Sequence, residues 1–452
     1  MNNFKRLTHG RVKTNNIIYF IFFSLVFYPL AIYRIPVLPG IHISIDRFSV
    51  ALALLYGLAT FLLSAKQRSF SASFQLVLWG NLFAGILGIF SLDPQVPSTA
   101  VWGKLPVFLM NMTLLLLVFE LCHNNEKNIR FILFSYVITG TFYVFFSSYS
   151  FWHFFSTGFP PTDIPFREYL PFDIPTVGHF TEKQGFITGN FMRLALPFSR
   201  PQDLGLASAI TAFFLVGLTA LLKTKMKIFT YVLIFFLVLT VFFAGSRSAI
   251  FPAIAGIIIF WILSEQSHGN SVRNVVVFFS QIFFLLIISF LLYIFVSGNE
   301  EHLIITISRL FSAVSSTEAH LNIRQKTFEE FVGLPLFQML IGNGLGSFPY
   351  LFGGVSSGHM TYGTVLIELG VFGLLAFVIL FIYIGFNCLK INLRKISLMY
   401  RPIVISSISI FFILLLANLF YQFYYSTFQW VALGLIAAII KSKKIYTISS
   451  GY

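Results

Sequence analysis

Residues 339–375 read MLIGNGLGSFPYLFGGVSSGHMTYGTVLIELGVFGLL. Gly342, Gly344 and Gly346 alternate through a turn, and an aromatic-rich loop follows. His359 then stands just ahead of an apolar run that carries a carboxylate, Glu368. A run this long and this poor in charge has the make-up of a membrane-spanning helix. Two readings fit the polar segment before it. One is a loop that turns and re-enters the membrane, with His359 as an interfacial polar residue. The other is a functional mouth, in which glycines let backbone approach a ligand and a histidine takes a proton.

The rest of the chain has the same character. Of its 452 residues 57% are hydrophobic and 10% are charged, and the mean hydropathy is +0.84. Soluble domains carry about 25% charged residues, so the composition is that of a polytopic membrane protein. The net charge of +14 would suggest nucleic acid in a soluble protein. Here the positions of the charges matter first, because basic residues set membrane orientation.

Runs nearly free of charge fall near 16–34, 47–64, 74–91, 100–121, 131–154, 203–222, 228–245, 249–264, 275–297, 361–386, 402–421 and 424–440. The expected fold is therefore all-α, with about twelve transmembrane helices. Lys66, Arg68, Lys127, Arg130, Lys223, Lys225, Lys227, Arg273, Lys390, Arg394, Lys395 and Arg401 all fall in alternate gaps. The basic N-terminal segment and the Lys441–Lys444 tail share that side. By the positive-inside rule this side is cytoplasmic, as are both termini. Cys122 and Cys388 fall at its span ends, and neither a disulfide nor a cysteine metal site is implied. The basic, apolar start resembles a signal peptide, but no clear cleavage site follows, so it reads as a retained first span.

The chain divides into N-terminal spans (1–154), a large outer loop (155–202), central spans (203–297), a second large outer loop (298–360) and C-terminal spans with a tail (361–452). Long loops in a compact bundle are usually functional. The second contains SSTEAHLNIRQKTFEEF, a helical pattern with Ser316 as a cap and Leu321, Ile323, Phe328 and Phe331 as apolar contacts. It is expected on the outer membrane surface or over the bundle mouth. YQFYYSTFQW (421–430) reads as an outer aromatic belt.

Four charged or titratable residues on the outer side are not explained by topology. Arg247 sits in AGSRSAIF between two apolar runs. It either snorkels to lipid phosphate or forms an anion site with Ser246 and Ser248 as further donors. Arg193 and Arg200 precede a span that begins at Asp203, a plausible N-cap and partner for Arg200, which leaves Arg193 the freer of the two. Arg324 lies on the amphipathic pattern, where Lys326 and Glu329 allow a plain solvated face as well. Several arginines suit phosphate or pyrophosphate, and His359 beside them suits proton removal from a hydroxyl. No acidic cluster has metal-ligand spacing, and no P-loop or HExxH occurs.

These segments resemble the O-antigen ligase and O-antigen polymerase superfamily of bacterial envelope glycan assembly. AGSRSAI (244–250) looks like the family's small-Ser-Arg-Ser/Gly turn, and MRLALPFSRPQDLG (192–205) like its Arg-Leu segment before a span, with Gln202 for Asn. IRQKTFEEFVGLPLFQMLIGNGLGSF (323–348) is similar to its Arg…Gly-x-Gly-x-Gly-x-Phe run, with Phe328 for Trp. HMTYGTVLIELGVFGLL (359–375) is similar to its His-Asn…Glu-x-Gly run, with Met360 for Asn. The likeness covers roughly residues 185–380.

The resemblance implies a GT-C-like, inverting, metal-independent membrane glycosyltransferase without a cofactor. Such an enzyme transfers undecaprenyl-pyrophosphate-linked glycan at the outer face of the bacterial inner membrane. A ligase passes it to lipid A core, and a polymerase to the next lipid-linked repeat unit. Arg193, Arg247 and Arg324 would meet the pyrophosphate charge, and His359 would be the base. Partners would be the lipid-linked donor, the glycan or lipid A core acceptor, membrane lipids and other envelope assembly proteins, with no nucleic acid. Glu368, two turns into a span, either orients a partner or is a protonated structural residue hydrogen-bonded inside the bundle, and is left outside this expected site. The rivals are a membrane transporter, such as a flippase for lipid-linked oligosaccharide, and a structural partner in an envelope complex.

Overall fold

A computed structural model describes residues 19, 21–22, 25–26, 34–38, 41–44, 80–81, 83–87, 96–123, 125–157, 197–198, 200–267, 325–352 and 360–442. A short antiparallel hairpin pairs β1 (Arg34–Leu38) with β2 (Ile41–Ser44), Arg34 opposite Ser44. The remaining elements are helices: α1 (Ser98–Cys122), α2 (Glu126–Thr157), α3 (Pro201–Thr219), α4 (Thr224–Phe243), α5 (Arg247–Ser267), α6 (Leu336–Ile341), α7 (Phe348–Leu351), α8 (Thr361–Leu389), α9 (Arg401–Phe420) and α10 (Thr427–Lys441). Residues 325–333 are helical as well.

Seven of these helices, α1 to α5, α8 and α9, are long and apolar enough to cross a membrane. Each coincides with an expected span. The expected span at 424–440 is α10, whose 15 residues fall short of a full crossing. The expected spans at 47–64 and 275–297 lie outside the described residues, and those at 16–34 and 74–91 lie largely outside them.

Apolar burial does not drive helix association in lipid, so close packing depends on small side chains that let backbones meet. The centre of the bundle is built that way. α3 is buried nearly all round and carries Gly205, Ala207, Ser208, Ala209, Ala212 and Gly217. A Cβ added at Gly217 would lie 2.9 Å from the Ile403 Cα of α9. At Gly205 it would lie 2.7 Å from the Ala249 Cβ of α5. α10 sits against α1 in the same manner, with the Leu115 carbonyl 2.6 Å from a Cβ at Gly434. α4, α5 and α8 instead turn large apolar side chains outward, among them Ile228, Val232, Ile258, Trp261, Ile379 and Ile382.

The helices alternate in direction, and the two ends of the bundle differ. One end gathers Lys127, Arg130, Lys223, Lys225, Lys227, Lys390, Arg394, Lys395, Arg401 and Lys441. It is tied together there: Arg130 donates to the Tyr400 hydroxyl at 3.0 Å and also pairs with Glu126, and Lys441 donates to the Tyr383 hydroxyl. Cys122 and Cys388 are buried at this end as free thiols. The other end holds the starts of α1, α3, α5, α8 and α10.

A methyl group at Gly434 should separate α1 from α10. Gly434→Ala is expected to lower stability by about 1–3 kcal/mol. Gly103→Ala, with nothing within 4 Å of the added atom, should not. Thermal unfolding of both variants in detergent checks the difference.

Candidate functional site

The end poor in basic residues is organised by a break in α8. Gly370 has φ 66° and ψ −167°, inside an otherwise helical stretch of 29 residues. A left-handed φ suits glycine, which has no Cβ to clash. Here a Cβ would also collide with the Leu340 carbonyl and the Gly342 amide. The break bends the helix sharply. Residues 362 and 377 would lie about 22 Å apart along a straight helix, yet the Tyr362 and Phe377 rings are 5.8 Å apart.

A broken helix leaves carbonyls without their amide partners, and buried as Ile367 and Glu368 are, these cannot stay unpaired. The Gly342–Gly346 turn supplies the donors. Asn343 donates its backbone N–H to the Ile367 carbonyl at 2.9 Å and its side-chain amide to the same oxygen at 3.2 Å. The Gly344 N–H donates to the Glu368 carbonyl at 3.0 Å. Gly342, Gly344 and Gly346 all have positive φ, which bends the turn tightly enough to enter the break.

Glu368 locks the two together from the side-chain direction. Only 1% of it is exposed. The Tyr425 hydroxyl donates to its Oε2, and the backbone N–H groups of Gly346 and Phe348 face the carboxylate. Burial, and then the charge of Glu368, push the Tyr425 hydroxyl well above its ordinary range, so it keeps the proton it donates. Lys104 of α1 adds a favourable positive charge. Its ammonium lies 4.9 Å from the centre of the Tyr425 ring, and its stem runs along Gly346.

A second cluster ties α3 to the turn between α9 and α10. Arg200 donates to the Tyr421 hydroxyl and lies over that ring. Burial pushes the Tyr421 hydroxyl up, and the nearby Asp203 charge adds to this, so it stays a neutral acceptor for Arg200. Thr361, at the start of α8, donates to the Tyr421 carbonyl at 3.0 Å and accepts from the Phe423 N–H at 3.0 Å. The third element is the α4–α5 turn. Arg247 is the first residue of α5, half-buried, between Ser246 and Ser248, whose hydroxyls lie 2.8 Å apart. Gly205 of α3 packs on Ala244 and Ala249 on either side of this turn.

Of the residues singled out from sequence, Arg247 is therefore placed, at the mouth end. Arg193, Arg324 and His359 lie outside the described residues. Their described neighbours reach the same end: Met360 is the N-cap of α8, and residues 325–333 pack Phe331 with Phe348, Phe352 and Ile367.

Glu368, whose role the sequence left open, is the buried centre of this end, hydrogen-bonded inside the bundle. Phe328 is 63% exposed while Phe331 is buried, as a place at the membrane surface allows. Two sequence readings are corrected. Asp203 is not an N-cap; Arg200 holds that position, Pro201 follows, and Asp203 lies in the first turn. Most aromatics of 421–430 face inward rather than forming a surface belt, with Tyr421, Phe423, Tyr424, Phe428 and Trp430 all buried. Trp430 donates its indole N–H to the Tyr424 carbonyl at 2.7 Å. Lys104 was missed because it lies within an apolar run. Its signal was available, as a lysine near the non-basic end of a span.

Among the described residues no three His, Cys, Asp or Glu side chains come together as a metal ion would need. No protein-family model matches the chain, and no curated protein or solved structure matches it.

Removing the Glu368 carboxylate would strand a tyrosine hydroxyl and two amides in an apolar setting. Glu368→Ala should cost on the order of 3 kcal/mol. Glu368→Gln, which keeps an acceptor oxygen, should cost clearly less. Thermal unfolding together with limited proteolysis of the 342–352 region measures both effects.

Proposed function

We propose that this protein is a membrane glycosyltransferase that transfers glycan from undecaprenyl pyrophosphate at the outer face of a bacterial inner membrane, as an O-antigen or exopolysaccharide polymerase or as an O-antigen ligase. One observation carries the reading. Three segments that resemble that superfamily, far apart in sequence, are linked at one end of the bundle: Gly205 packs on Ala244 and Ala249, and Arg200 and Thr361 both bond to Tyr421. Chance likeness gives no reason for that convergence. By the positive-inside rule the basic end faces the cytoplasm, which puts this mouth outside with both termini inside.

The chemistry is a displacement at the anomeric carbon. The acceptor hydroxyl oxygen forms the new bond, and the bond to the lipid pyrophosphate breaks. His359 takes the hydroxyl proton, and the pyrophosphate leaves with the electron pair. Its growing charge is met by Arg247, Arg193 and Arg324, whose planar guanidinium forks suit phosphate oxygens. Attack opposite the leaving group inverts the anomeric centre.

A transporter is the second reading, because a broken span with a buried carboxylate is also how carriers hold ions. Here the carbonyls freed at the break, those of Ile367 and Glu368, already accept hydrogen bonds from the glycine turn. That leaves them poorly suited as ion ligands and favours the transferase.

Arg247→Lys should lower transfer by at least about tenfold with normal expression, since an ammonium replaces the fork but not its geometry. Full activity in the lysine variant would remove Arg247 from the pyrophosphate site. A strain lacking the gene should show core with a single repeat unit if the protein is a polymerase. It should show bare core, with long chains held on the lipid carrier, if it is a ligase. Unchanged surface glycan together with an unchanged lipid-linked pool would turn the reading towards transport.

A further inference from the structure

The segment that delivers the glycine turn has an outward apolar face. Phe328 is 63% exposed, Val332 57%, Leu336 72% and Phe337 62%. Its opposite face, through Phe331, Leu334 and Met339, packs on Phe348, Phe352, Leu366, Ile367 and Val371. Gln325, Lys326, Glu329 and Glu330 are exposed and polar on a third side. Side chains as large as Leu336 and Phe337 are not left in water without a reason when the same segment already has a packed core.

The level of the segment identifies what covers that face. From Gly370 to Leu389, α8 has twenty residues. That is about 30 Å, the thickness of a bilayer's hydrocarbon core. Lys390 marks the far boundary, its ammonium 3.9 Å from the Phe386 ring centre. α9 has 20 residues and α4 has 20, and they end at Phe420 and Phe243 on the Gly370 side. Gly370, Tyr421 and Ala244 thus lie at one edge of the hydrocarbon. The Leu340 carbonyl and the Gly342 amide abut Gly370, so α6 lies at that edge too. Just below it, Phe372 and Leu375 of α8 are 50% and 51% exposed on a helix that crosses the membrane. The apolar face of residues 328–337 lies next to a lipid-facing surface.

We propose that residues 325–341 are an interfacial anchor that sets Phe328, Val332, Leu336 and Phe337 into the acyl-chain boundary of the leaflet at the Gly370 end. Amphipathic segments hold to a bilayer in this way, apolar side down and charged side towards the headgroups. The anchor places the glycine turn and Glu368 at headgroup depth. A substrate carried on a lipid then reaches the mouth from the side, without leaving the membrane. The anchor does not depend on the transferase reading, since a transporter would keep it.

The test is fluorescence quenching on the full chain in phosphatidylglycerol–phosphatidylcholine nanodiscs, with Cys122 and Cys388 replaced by alanine. A bimane probe is placed at Phe337→Cys, at Leu336→Cys as a second site, and at Glu330→Cys as a headgroup-side reference. Lipids with a nitroxide at acyl position 5 should quench the probes at 336 and 337 at least about twofold more than the probe at 330. Aqueous iodide should show the reverse order. Probes at 336 and 337 that iodide reaches as well as at 330 would overturn the anchor. Probes that neither quencher reaches would also overturn it, because the face would then be covered by protein.

Discussion

Everything at the mouth of this bundle follows from one rule of burial: a backbone carbonyl shut inside the protein, away from water, needs a partner. Breaking α8 at Gly370 violates that rule unless donors arrive from elsewhere. They arrive from a turn more than twenty residues earlier, where alternating glycines bring Asn343 and Gly344 against the carbonyls of Ile367 and Glu368. The Glu368 side chain then draws in Gly346, Phe348 and Tyr425, and Tyr425 brings Lys104 of α1. One broken turn of helix therefore fixes the relative position of α1, α8 and the α9–α10 turn.

The rest of the bundle answers a different demand. Lipid is as apolar as leucine, so a leucine on a spanning helix gains little by turning inward. Close approach of backbones does the work instead, and it needs small residues. α3 supplies them on several sides, and α10 through Ala432, Gly434, Ala437 and Ala438, so both are enclosed while α4 and α5 keep isoleucine and phenylalanine facing out. The same logic explains why the basic residues cluster at one end. They sit where the helices leave the apolar layer, and their long side chains bond to tyrosines such as Tyr400 and Tyr383 at that boundary.

The sequence is most legible where the physics is local. Length and freedom from charge place all seven described crossings, because a span is a property of consecutive residues. Orientation relative to the basic end follows from counting lysines and arginines. What cannot be seen locally is partnership. A carboxylate in an apolar run looks like a liability until Tyr425, 57 residues away, and the amides of a glycine turn are found around it. The aromatic stretch at 421–430 was misjudged for the same reason. Tyrosine and tryptophan suit both a membrane boundary and a core, and only the positions of Thr361, Phe377 and Phe108 decide between them. Asp203 had the composition of a cap but the wrong place, since proline at the first helical position moves the cap back to Arg200.

The segments that carry the family resemblance contain two kinds of residue, and the structure separates them. Gly205 is required by Ala249 and Ala244, Gly370 by Leu340 and Gly342, and Glu368 by the turn it holds. These positions are explained by packing alone, so a loss of activity there would speak only of scaffold. Arg200 falls in the same group, because Tyr421 and Asp203 account for it. Arg247 is of a different kind. It is half-buried at the first position of α5, with Ser246 and Ser248 beside it, where α3 packs on the α4–α5 turn through Gly205, Ala244 and Ala249. A cation at a helix N-terminus opposes the helix dipole. Substitution there therefore changes the charge at the mouth, whereas substitution at Gly205, Gly370 or Glu368 changes the packing that holds it.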